Sequence, residues 1–203
     1  MITLYDYWRS SAAYRVRMAL NLLNLPYESH PVDLVKGEHR GADNVARNPQ
    51  GLVPTLDIDG LRLTQSLAII EYLDETCGGL LPKDLAARAH VRALSYAIAM
   101  EIAPVCNLTV RDHVGNMGVM TSEAWAHHYI TKGLAAFEAM LTPTGRYCHG
   151  DTVTMADLCL IPQFYNAERV GVDVTLLPQT MQIVANLREI PAIAAAHPDR
   201  VKP

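Results

Sequence analysis

Two adjacent hydroxyl side chains, Ser10 and Ser11, lie between a short apolar segment and a segment of helical periodicity. The apolar residues 2–5 predict a strand, and residues 16–23 repeat apolar side chains at helical spacing. The first turn of a helix carries free N–H donors and partial positive charge, so it can bind an anion. A serine there can donate a hydrogen bond to an anion such as a thiolate, or it can only cap the helix. The spacing alone leaves both interpretations of the two serines open.

The elements that must position these serines alternate between strand and helix over residues 1–77. A helix between the first two strands implies parallel pairing, because the chain has to cross over between them. Asp59-Gly60 is a strong turn signal and predicts an antiparallel hairpin of the last two strands. Ser66 is expected to cap the helix that follows. The predicted strands span residues 2–5, 27–32, 53–57 and 61–63, the predicted helices residues 12–23 and 66–76, and a loop with a short irregular helix residues 36–48.

Residues 77–82 interrupt this pattern with two glycines and a proline, and they predict a linker between domains. Only helical patterns follow the linker. The fold class expected from the sequence is therefore α/β plus all-α, with one domain of residues 1–82 and a second, all-helical domain of residues 83–203.

The helical half shows three local signals. One long helix is expected along residues 91–105, with a kink near Pro104, because proline removes an N–H donor. A later helix is expected to end at Pro143. Thr154 and Asp157 have the spacing of a capping box, which predicts the start of a further helix.

Composition excludes several classes of function. The chain has 203 residues with 17 Lys and Arg against 21 Asp and Glu, so its net charge of -4 argues against nucleic acid or an anionic membrane as partner. It begins with a strand pattern and contains no apolar stretch of membrane-spanning length, so we expect a cytoplasmic protein. The four cysteines have no metal-ligand spacing, and phosphate-loop and HExxH motifs are absent. A reaction catalysed by this chain is therefore expected to use a soluble cosubstrate and no metal.

The segment Ser10–Leu20, with the sequence Ser-Ser-Ala-Ala-Tyr-Arg-Val-Arg-Met-Ala-Leu, resembles the signature of the zeta class of glutathione S-transferases. Residues 48–56, 63–73 and 147–169 resemble further segments of the same class, in the same order. The resemblance implies a thioredoxin-like N-terminal domain, an all-helical C-terminal glutathione-transferase domain, a homodimer, and glutathione as cofactor.

The resemblance also implies a glutathione site. Ser10 matches the residue that hydrogen-bonds the glutathione sulfur, and Ser11 is its obvious substitute. Val53-Pro54 matches a segment with a cis-proline, whose backbone would pair with the cysteinyl unit like an added strand. Plain capping remains open for Ser66, and an exposed loop position remains open for His39. The residues that the resemblance implies for binding glutathione are Ser10, Ser11, Arg15, His39, Gln50, Val53, Pro54, Gln65, Ser66, Asn107 and Thr109.

Two positions depart from the class pattern. Ala12 replaces the signature cysteine, which removes a protein thiol beside the sulfur site and places thiol–disulfide or dehalogenation chemistry in doubt. Isomerisation is unaffected, because its nucleophile is the thiol of glutathione itself. Ala103 stands where many members of the class carry a polar side chain, so one contact to the ligand is missing.

The expected reaction is the cis-trans isomerisation of a dicarboxylate, maleylacetoacetate, to fumarylacetoacetate. Cations near the sulfur should bind the carboxylates of such a substrate and stabilise its enolate intermediate. We expect Arg9 in this role because it lies beside Ser10, and the resemblance implies Arg169; Arg15 and Arg111 are second choices. The predicted catalytic residues are thus Ser10, Ser11, Arg9 and Arg169. The alternatives are maleylpyruvate isomerisation, general glutathione transfer or haloacid dehalogenation, and a non-catalytic binding protein.

Overall fold

The computed structural model describes residues 1–142 and 144–203. They form two compact units, one of Met1–Leu80 with Ile190–Pro203 and one of Leu81–Glu189. The domain boundary after residue 82 stays a prediction. The first compact unit also contains residues Ile190–Pro203, here called the C-terminal segment, which the prediction assigned to the second domain. Pro143, which we expected to end a helix, lies outside the described residues.

A four-stranded mixed sheet forms the centre of the first unit, with the strand order β2-β1-β3-β4. The parallel pairing of β1 with β2 and the antiparallel β3–β4 hairpin confirm the prediction. β3 also pairs with β1 in antiparallel orientation, and the buried Leu4 lies opposite the buried Leu56. The strands are β1 (Ile2–Asp6), β2 (Tyr27–Pro31), β3 (Thr55–Ile58) and β4 (Leu61–Thr64).

Four helical segments of the first unit follow its strands along the chain, and the first of them is packed inside the unit. These helices are α1 (Ser11–Leu22), a 3-10 helix (Glu38–Arg40), α2 (Ala42–Arg47) and α3 (Ser66–Cys77). Every residue of α1 from Ala13 to Leu20 is buried, because α3 packs on it and the C-terminal segment covers it as well. Two arginines of α1 therefore lie inside the unit and need partners there.

One prediction about α3 is wrong. The helix begins at Ser66, but its N-cap residue is Gln65, so Ser66 occupies the first helical position. Gln65 has φ 67 and ψ 109, a backbone conformation that residues other than glycine rarely adopt. A local spacing rule cannot anticipate such a backbone, and the predicted cap was therefore placed one residue too late.

Helices build the second unit, as predicted. α4 (Leu85–Ala99), α6 (Ser122–Met140) and α7 (Met155–Arg169) supply its core, and the predicted apolar rows along α4 and α6 are buried. The remaining elements after α4 are α5 (Leu108–Asn116), a 3-10 helix (Val174–Leu176) and α8 (Pro178–Arg188), while α9 (Pro191–Ala195) and α10 (Pro198–Val201) belong to the first unit. Among the described residues, no helix is both long and apolar enough to cross a bilayer.

The predicted continuous helix along residues 91–105 is wrong. α4 ends at Ala99, turns follow over residues 101–106, and α5 starts at Leu108. Pro104 explains the break, because it has no N–H to donate and disfavours helical geometry in the residue before it. Asn107 and Thr109 therefore lie on a separate short helix and its cap.

The capping box at the start of α7 confirms the prediction. Asp157 is fully buried and accepts from the backbone N–H of Thr154 at 2.7 Å, from its hydroxyl at 2.9 Å and from the N–H of Cys148 at 2.8 Å. One carboxylate thus joins the helix start to the preceding loop.

We expect Asp157→Ala to lower the free energy of unfolding by about 2–4 kcal/mol, because it leaves three buried donors without an acceptor. Urea unfolding followed by circular dichroism measures the loss. Asp173→Ala is the matched control, since Asp173 also caps a helical turn but is exposed. Equal losses in the two variants would contradict the assignment of Asp157 as a buried structural junction.

Candidate active site

Ser10 lies at the junction of β1 and α1. The chain turns after Asp6, and the turn is closed by a 2.9 Å hydrogen bond from the Ser10 N–H to the Tyr7 carbonyl. Ser10 is the N-cap of α1, and its Oγ accepts from the Ala13 N–H at 3.3 Å. Ser11, half-buried, is the first residue of the helix. The cap therefore uses Ser10 as an acceptor, and its hydroxyl proton can be donated to an anion placed at the helix start.

A second helix N-terminus lies at Gln65 and Ser66. Ser66 is buried, and the exposed Gln65 amide donates to Oε1 of Gln50 at 2.6 Å. The bond links the start of α3 to the loop before β3. The free N–H groups of this helix start favour a carboxylate, since their partial positive charge points out of the helix end.

Arg15 is buried next to Ser66, with 3 % of its surface exposed. Its Nη1 donates to Oγ of Ser66 at 3.2 Å. Nε and Nη2 are buried, and neither has a partner among the described residues. The guanidinium therefore leaves a largely uncompensated positive charge beneath the start of α3, which strengthens the attraction of that helix start for an anion.

The loop between β2 and β3 is held by amide side chains. Asn44 donates to the carbonyl of His39 at 2.9 Å, and Asn48 donates to the carbonyl of Leu52 at 3.0 Å. Both asparagines are buried. Neither asparagine was among the predicted site residues, since their only signal in the sequence was two asparagines close together in a polar loop. They fix the backbone that carries His39, Gln50 and Val53.

His39 is buried, and Nε of Arg40 donates to its Nε2 at 3.1 Å. Burial lowers the pKa of His39, and the nearby charge of Arg40 lowers it further. A ring that accepts at Nε2 and is neutral carries its proton on Nδ1. That nitrogen is buried and has no partner among the described residues, so it is a donor available to a bound group.

Val53 and Pro54 precede β3, and the peptide bond between them is cis, which confirms the prediction from the resemblance. Both residues are buried. β3 begins only at Thr55, so the backbone of Val53 lies outside the ladder of the sheet.

Asn107, Thr109 and Arg169 belong to the second unit. Asn107 is the exposed N-cap of α5, and Thr109 is exposed on its first turn. Arg169 is exposed on the last turn of α7, with its guanidinium 5.6 Å from the centre of the Tyr165 ring. Arg111 donates to the carbonyl of Ser122 at 3.1 Å and so holds α5 to α6, which favours a structural role for it.

The thiols of Cys106 and Cys148 are poorly suited to act as thiolates. Burial raises the pKa of Cys106 to about 11, although the charge of Arg111 opposes the shift. Burial also raises the pKa of Cys148 well above its ordinary value, and the neighbouring Asp157 adds to this effect. Within residues 1–142 and 144–203, no group of three His, Cys, Asp or Glu side chains could hold a metal ion.

The first unit therefore combines a hydroxyl donor at one helix start, an anion site at another, and a neutral histidine N–H in a fixed loop. This donor set suits a peptide that carries carboxylates and a thiol. The buried Nδ1 of His39, which has no partner within the described chain, is the observation that tests the fit, because a ligand carboxylate would satisfy it. Glutathione, the cofactor expected from the resemblance, has these groups.

Comparison with known proteins supports this interpretation. The family model of the glutathione S-transferase N-terminal domain matches residues 9–76. A maleylacetoacetate isomerase of Rhizobium meliloti (strain 1021) is 57% identical over 207 residues, covering 98% of this chain and 97% of the relative.

Solved structures of related proteins have the same fold. The holo structure of a maleyl pyruvate isomerase, a bacterial glutathione S-transferase of the zeta class, is 39% identical and superimposes with a TM-score of 0.95, covering 98% of both chains. A maleylacetoacetate isomerase of Anaeromyxobacter dehalogenans 2CP-1, with glutathione bound in its active site, is 40% identical with a TM-score of 0.90, covering 100% of this chain and 97% of that one. The predicted fold class is thereby confirmed.

The lowered pKa of His39 predicts a dependence of stability on pH. The unfolded chain binds a proton at His39 more readily than the folded chain, so this contribution is complete above a pH of about 6.5 and is lost as the pH falls toward the lowered value. In His39→Gln that proton linkage is absent. The difference in unfolding free energy between wild type and variant, measured in urea at a series of pH values, should shrink on acidification; a constant difference would contradict a neutral His39.

Proposed function

Because the chain belongs to the glutathione S-transferase family and to its maleylacetoacetate isomerase branch, we propose that it isomerises maleylacetoacetate to fumarylacetoacetate with glutathione as cofactor. The observation that carries the proposal is the Ser10 hydroxyl at the start of α1, within a chain 57% identical to a maleylacetoacetate isomerase. Ser10 is a donor suited to stabilise a thiolate there.

We assign the groups of glutathione to residues of the first unit. Gln65 and Ser66 bind the γ-glutamyl carboxylate at the start of α3. Arg15, which donates to the Ser66 hydroxyl, adds positive charge there. The backbone of Val53 pairs with the cysteinyl unit. His39 and Gln50 bind toward the glycyl end, where the Nδ1–H of His39 donates to the carboxylate. Asn107 and Thr109, in the second unit, contribute further polar contacts.

Bound glutathione supplies a thiolate that adds reversibly to the conjugated double bond, so that the bond can rotate before the thiolate leaves. The Ser10 hydroxyl donates a hydrogen bond to the sulfur, and the positive end of α1 lowers the free energy of the charged form. Ser11, the first residue of α1, lies next to it as a second hydroxyl.

Cations are needed because the substrate carries two carboxylates and negative charge develops on its ketone oxygen. We propose that Arg9 and Arg169 fill this role. Arg9 directly precedes Ser10 in the chain, and its guanidinium lies 5.4 Å from the centre of the Trp8 ring. Arg169 is exposed at the end of α7, and the resemblance to the class is what assigns it to the substrate.

The absence of a cysteine at Ala12 favours isomerisation over reactions that need a protein thiol. With Ala12 beside Ser10, the sulfur site of the chain has no thiol of its own, and the raised pKa values of Cys106 and Cys148 keep those thiols protonated near neutral pH. Dehalogenation and thiol–disulfide exchange are therefore weaker candidates.

Maleylpyruvate is the second candidate substrate. The observation that favours it is the TM-score of 0.95 with a maleyl pyruvate isomerase. The two substrates share the cis-enedioate group and differ in the length of the conjugated chain that accepts the thiolate. The higher identity to a maleylacetoacetate isomerase makes the longer acceptor our first choice.

We further propose that the chain is a cytoplasmic homodimer, with a thioredoxin-like domain of residues 1–82 and a helical domain of residues 83–203. The class resemblance supports the dimer. Sedimentation equilibrium tests the oligomeric state.

Turnover of maleylacetoacetate in the presence of glutathione tests the function. Wild type should form fumarylacetoacetate without consuming glutathione, and maleylpyruvate is assayed in parallel. We expect Ser10→Ala to lower kcat by roughly 10- to 150-fold, because a hydrogen bond to a charged group contributes about 1.5–3 kcal/mol. Glutathione affinity should change much less.

Ser11→Ala is the matched control for Ser10→Ala, since it removes the neighbouring hydroxyl. A normal rate in Ser10→Ala together with a slow Ser11→Ala would move the sulfur-activating role to Ser11. No glutathione-dependent turnover of either substrate by wild type would refute the proposed isomerase.

Arg15→Met should raise the Kd for glutathione about tenfold, since it removes a charge-assisted bond and a cation behind Ser66. The unfolding free energy without ligand should not fall, because the buried Nε and Nη2 of Arg15, which have no partner among the described residues, cost desolvation energy. Calorimetric titration and urea unfolding measure the two quantities.

Arg62→Met is the control for the charge change, since Arg62 pairs with Asp57 at 2.7 Å on the surface of the sheet. If Arg15→Met lowered stability and left the Kd unchanged, Arg15 would be a structural residue only.

A further inference from the structure

Arg17 joins three segments of the first unit. The side chain is 1 % exposed. Its Nη1 lies 2.6 Å from Oδ2 of Asp6, at the end of β1. Nη2 donates to the carbonyl of Trp8 at 2.9 Å, and Nε donates to the carbonyl of Ala196 at 3.2 Å. One guanidinium therefore fixes the end of a strand, the turn before Ser10 and the C-terminal segment.

The bond to Trp8 reaches the sulfur site through the backbone. Trp8 lies two residues before Ser10, within the turn that the Ser10 N–H closes on Tyr7. The carbonyl of Trp8 cannot shift without moving that turn, and the turn sets the direction of the Ser10 hydroxyl and of Arg9. Among the described residues no hydrogen bond joins Arg17 to Ser10, so its effect on Ser10 would be indirect.

The C-terminal segment makes further contacts with the same region. The ring of His197 meets the ring of Tyr14 edge-on, with centroids 6.1 Å apart. The ammonium of Lys202 lies 5.2 Å from the centre of the Trp8 ring. Asn21, further along α1, donates to the carbonyl of Ala192 at 3.0 Å. The segment therefore rests on α1 at one end and on the turn before Ser10 at the other.

Only arginine can make the three contacts at once. Its planar fork presents five N–H donors in fixed directions, whereas lysine carries a compact charge on a flexible stem. Lysine at position 17 would keep the ion pair with Asp6, and it would leave the carbonyls of Trp8 and Ala196 without that shared donor. A structural ion pair alone would need no such geometry.

We propose that Arg17 is a positioning residue of the isomerase, and that it and the C-terminal segment hold the turn Trp8–Ser10 in the geometry that activates the sulfur. The proposal rests on the proposed function, because it assumes that Ser10 faces the glutathione sulfur. It extends the active machinery to residues 196–202, which lie far from Ser10 in the sequence.

The test compares Arg17→Lys with Asn21→Ala. Both remove hydrogen bonds between α1 and the C-terminal segment, but only the first touches the turn at Trp8. We expect Arg17→Lys to lower kcat about 10- to 100-fold, because small displacements of reacting groups cost rate steeply. The thiol pKa of bound glutathione, followed by ultraviolet absorbance, should rise, and KM for glutathione should change less than twofold. Asn21→Ala should retain the wild-type kcat and thiol pKa.

Hydrogen–deuterium exchange of residues 7–13 without ligand gives a readout that needs no activity. Exchange there should quicken in Arg17→Lys and stay as in wild type in Asn21→Ala. Equal melting-temperature losses in the two variants, with kcat, thiol pKa and exchange of this segment unchanged, would overturn the proposal and leave Arg17 a structural residue.

A second variant covers the case in which Arg17→Lys does not fold. Lys202 is exposed, and Lys202→Gln removes its cation from the Trp8 ring. It should lower kcat about two- to threefold and raise the bound thiol pKa, as expected for a weak cation–π contact. No change in either quantity would overturn the proposal.

A wild type that binds no glutathione would refute the proposed function and this proposal together, whereas an active wild type with unaffected variants refutes this proposal alone.

Discussion

The burial of the central residues of α1, Ala13 to Leu20, is the constraint on which the rest of the first unit depends. A helix whose central residues are all inside the protein cannot leave a guanidinium in water, so Arg15 and Arg17 must find partners within the unit. Their partners differ. Arg17 is satisfied by Asp6, Trp8 and Ala196, while the hydroxyl of Ser66 is the only partner of Arg15 among the described residues. The first arrangement contributes rigidity, and the second retains positive charge for a ligand.

This division explains how one helix supports two parts of a binding site. The start of α1 offers its own N–H groups and the Ser10 hydroxyl, and the turn before it is fixed by Arg17. Further along, Arg15 reaches the start of α3 and strengthens a second positive helix end. Both helix ends are therefore oriented before any ligand binds, and preorganised donors of this kind stabilise charge without reorganisation.

Local patterns in the sequence were sufficient for part of this structure. The start of α1 was predictable, because a serine followed by apolar residues at helical spacing involves only neighbouring residues. The Thr154–Asp157 capping box and the β3–β4 hairpin were predictable for the same reason. The cis bond at Val53-Pro54 followed from the resemblance and not from any local signal.

The remaining features depend on distant contacts. Arg15 and Arg17 lie two positions apart on α1, and nothing in their spacing tells which one is satisfied; their partners Ser66 and Ala196 are 51 and 179 residues away. The left-handed backbone of Gln65 moved the cap of α3 by one residue. The helix expected along residues 91–105 ends at Ala99, before Pro104, although the pattern of apolar residues continues beyond that end.

The replacement of the signature cysteine by Ala12 follows the same physical logic as the buried thiols. A protein thiol at a positive helix start would itself be a thiolate of low pKa and would compete with the ligand for the Ser10 hydroxyl. With alanine there, and with burial keeping Cys106 and Cys148 protonated, the donors of the site serve only a thiol brought by the bound peptide. A site arranged in this way is suited to a reaction in which that thiol is returned unchanged, which is the property that an isomerase requires of its cofactor.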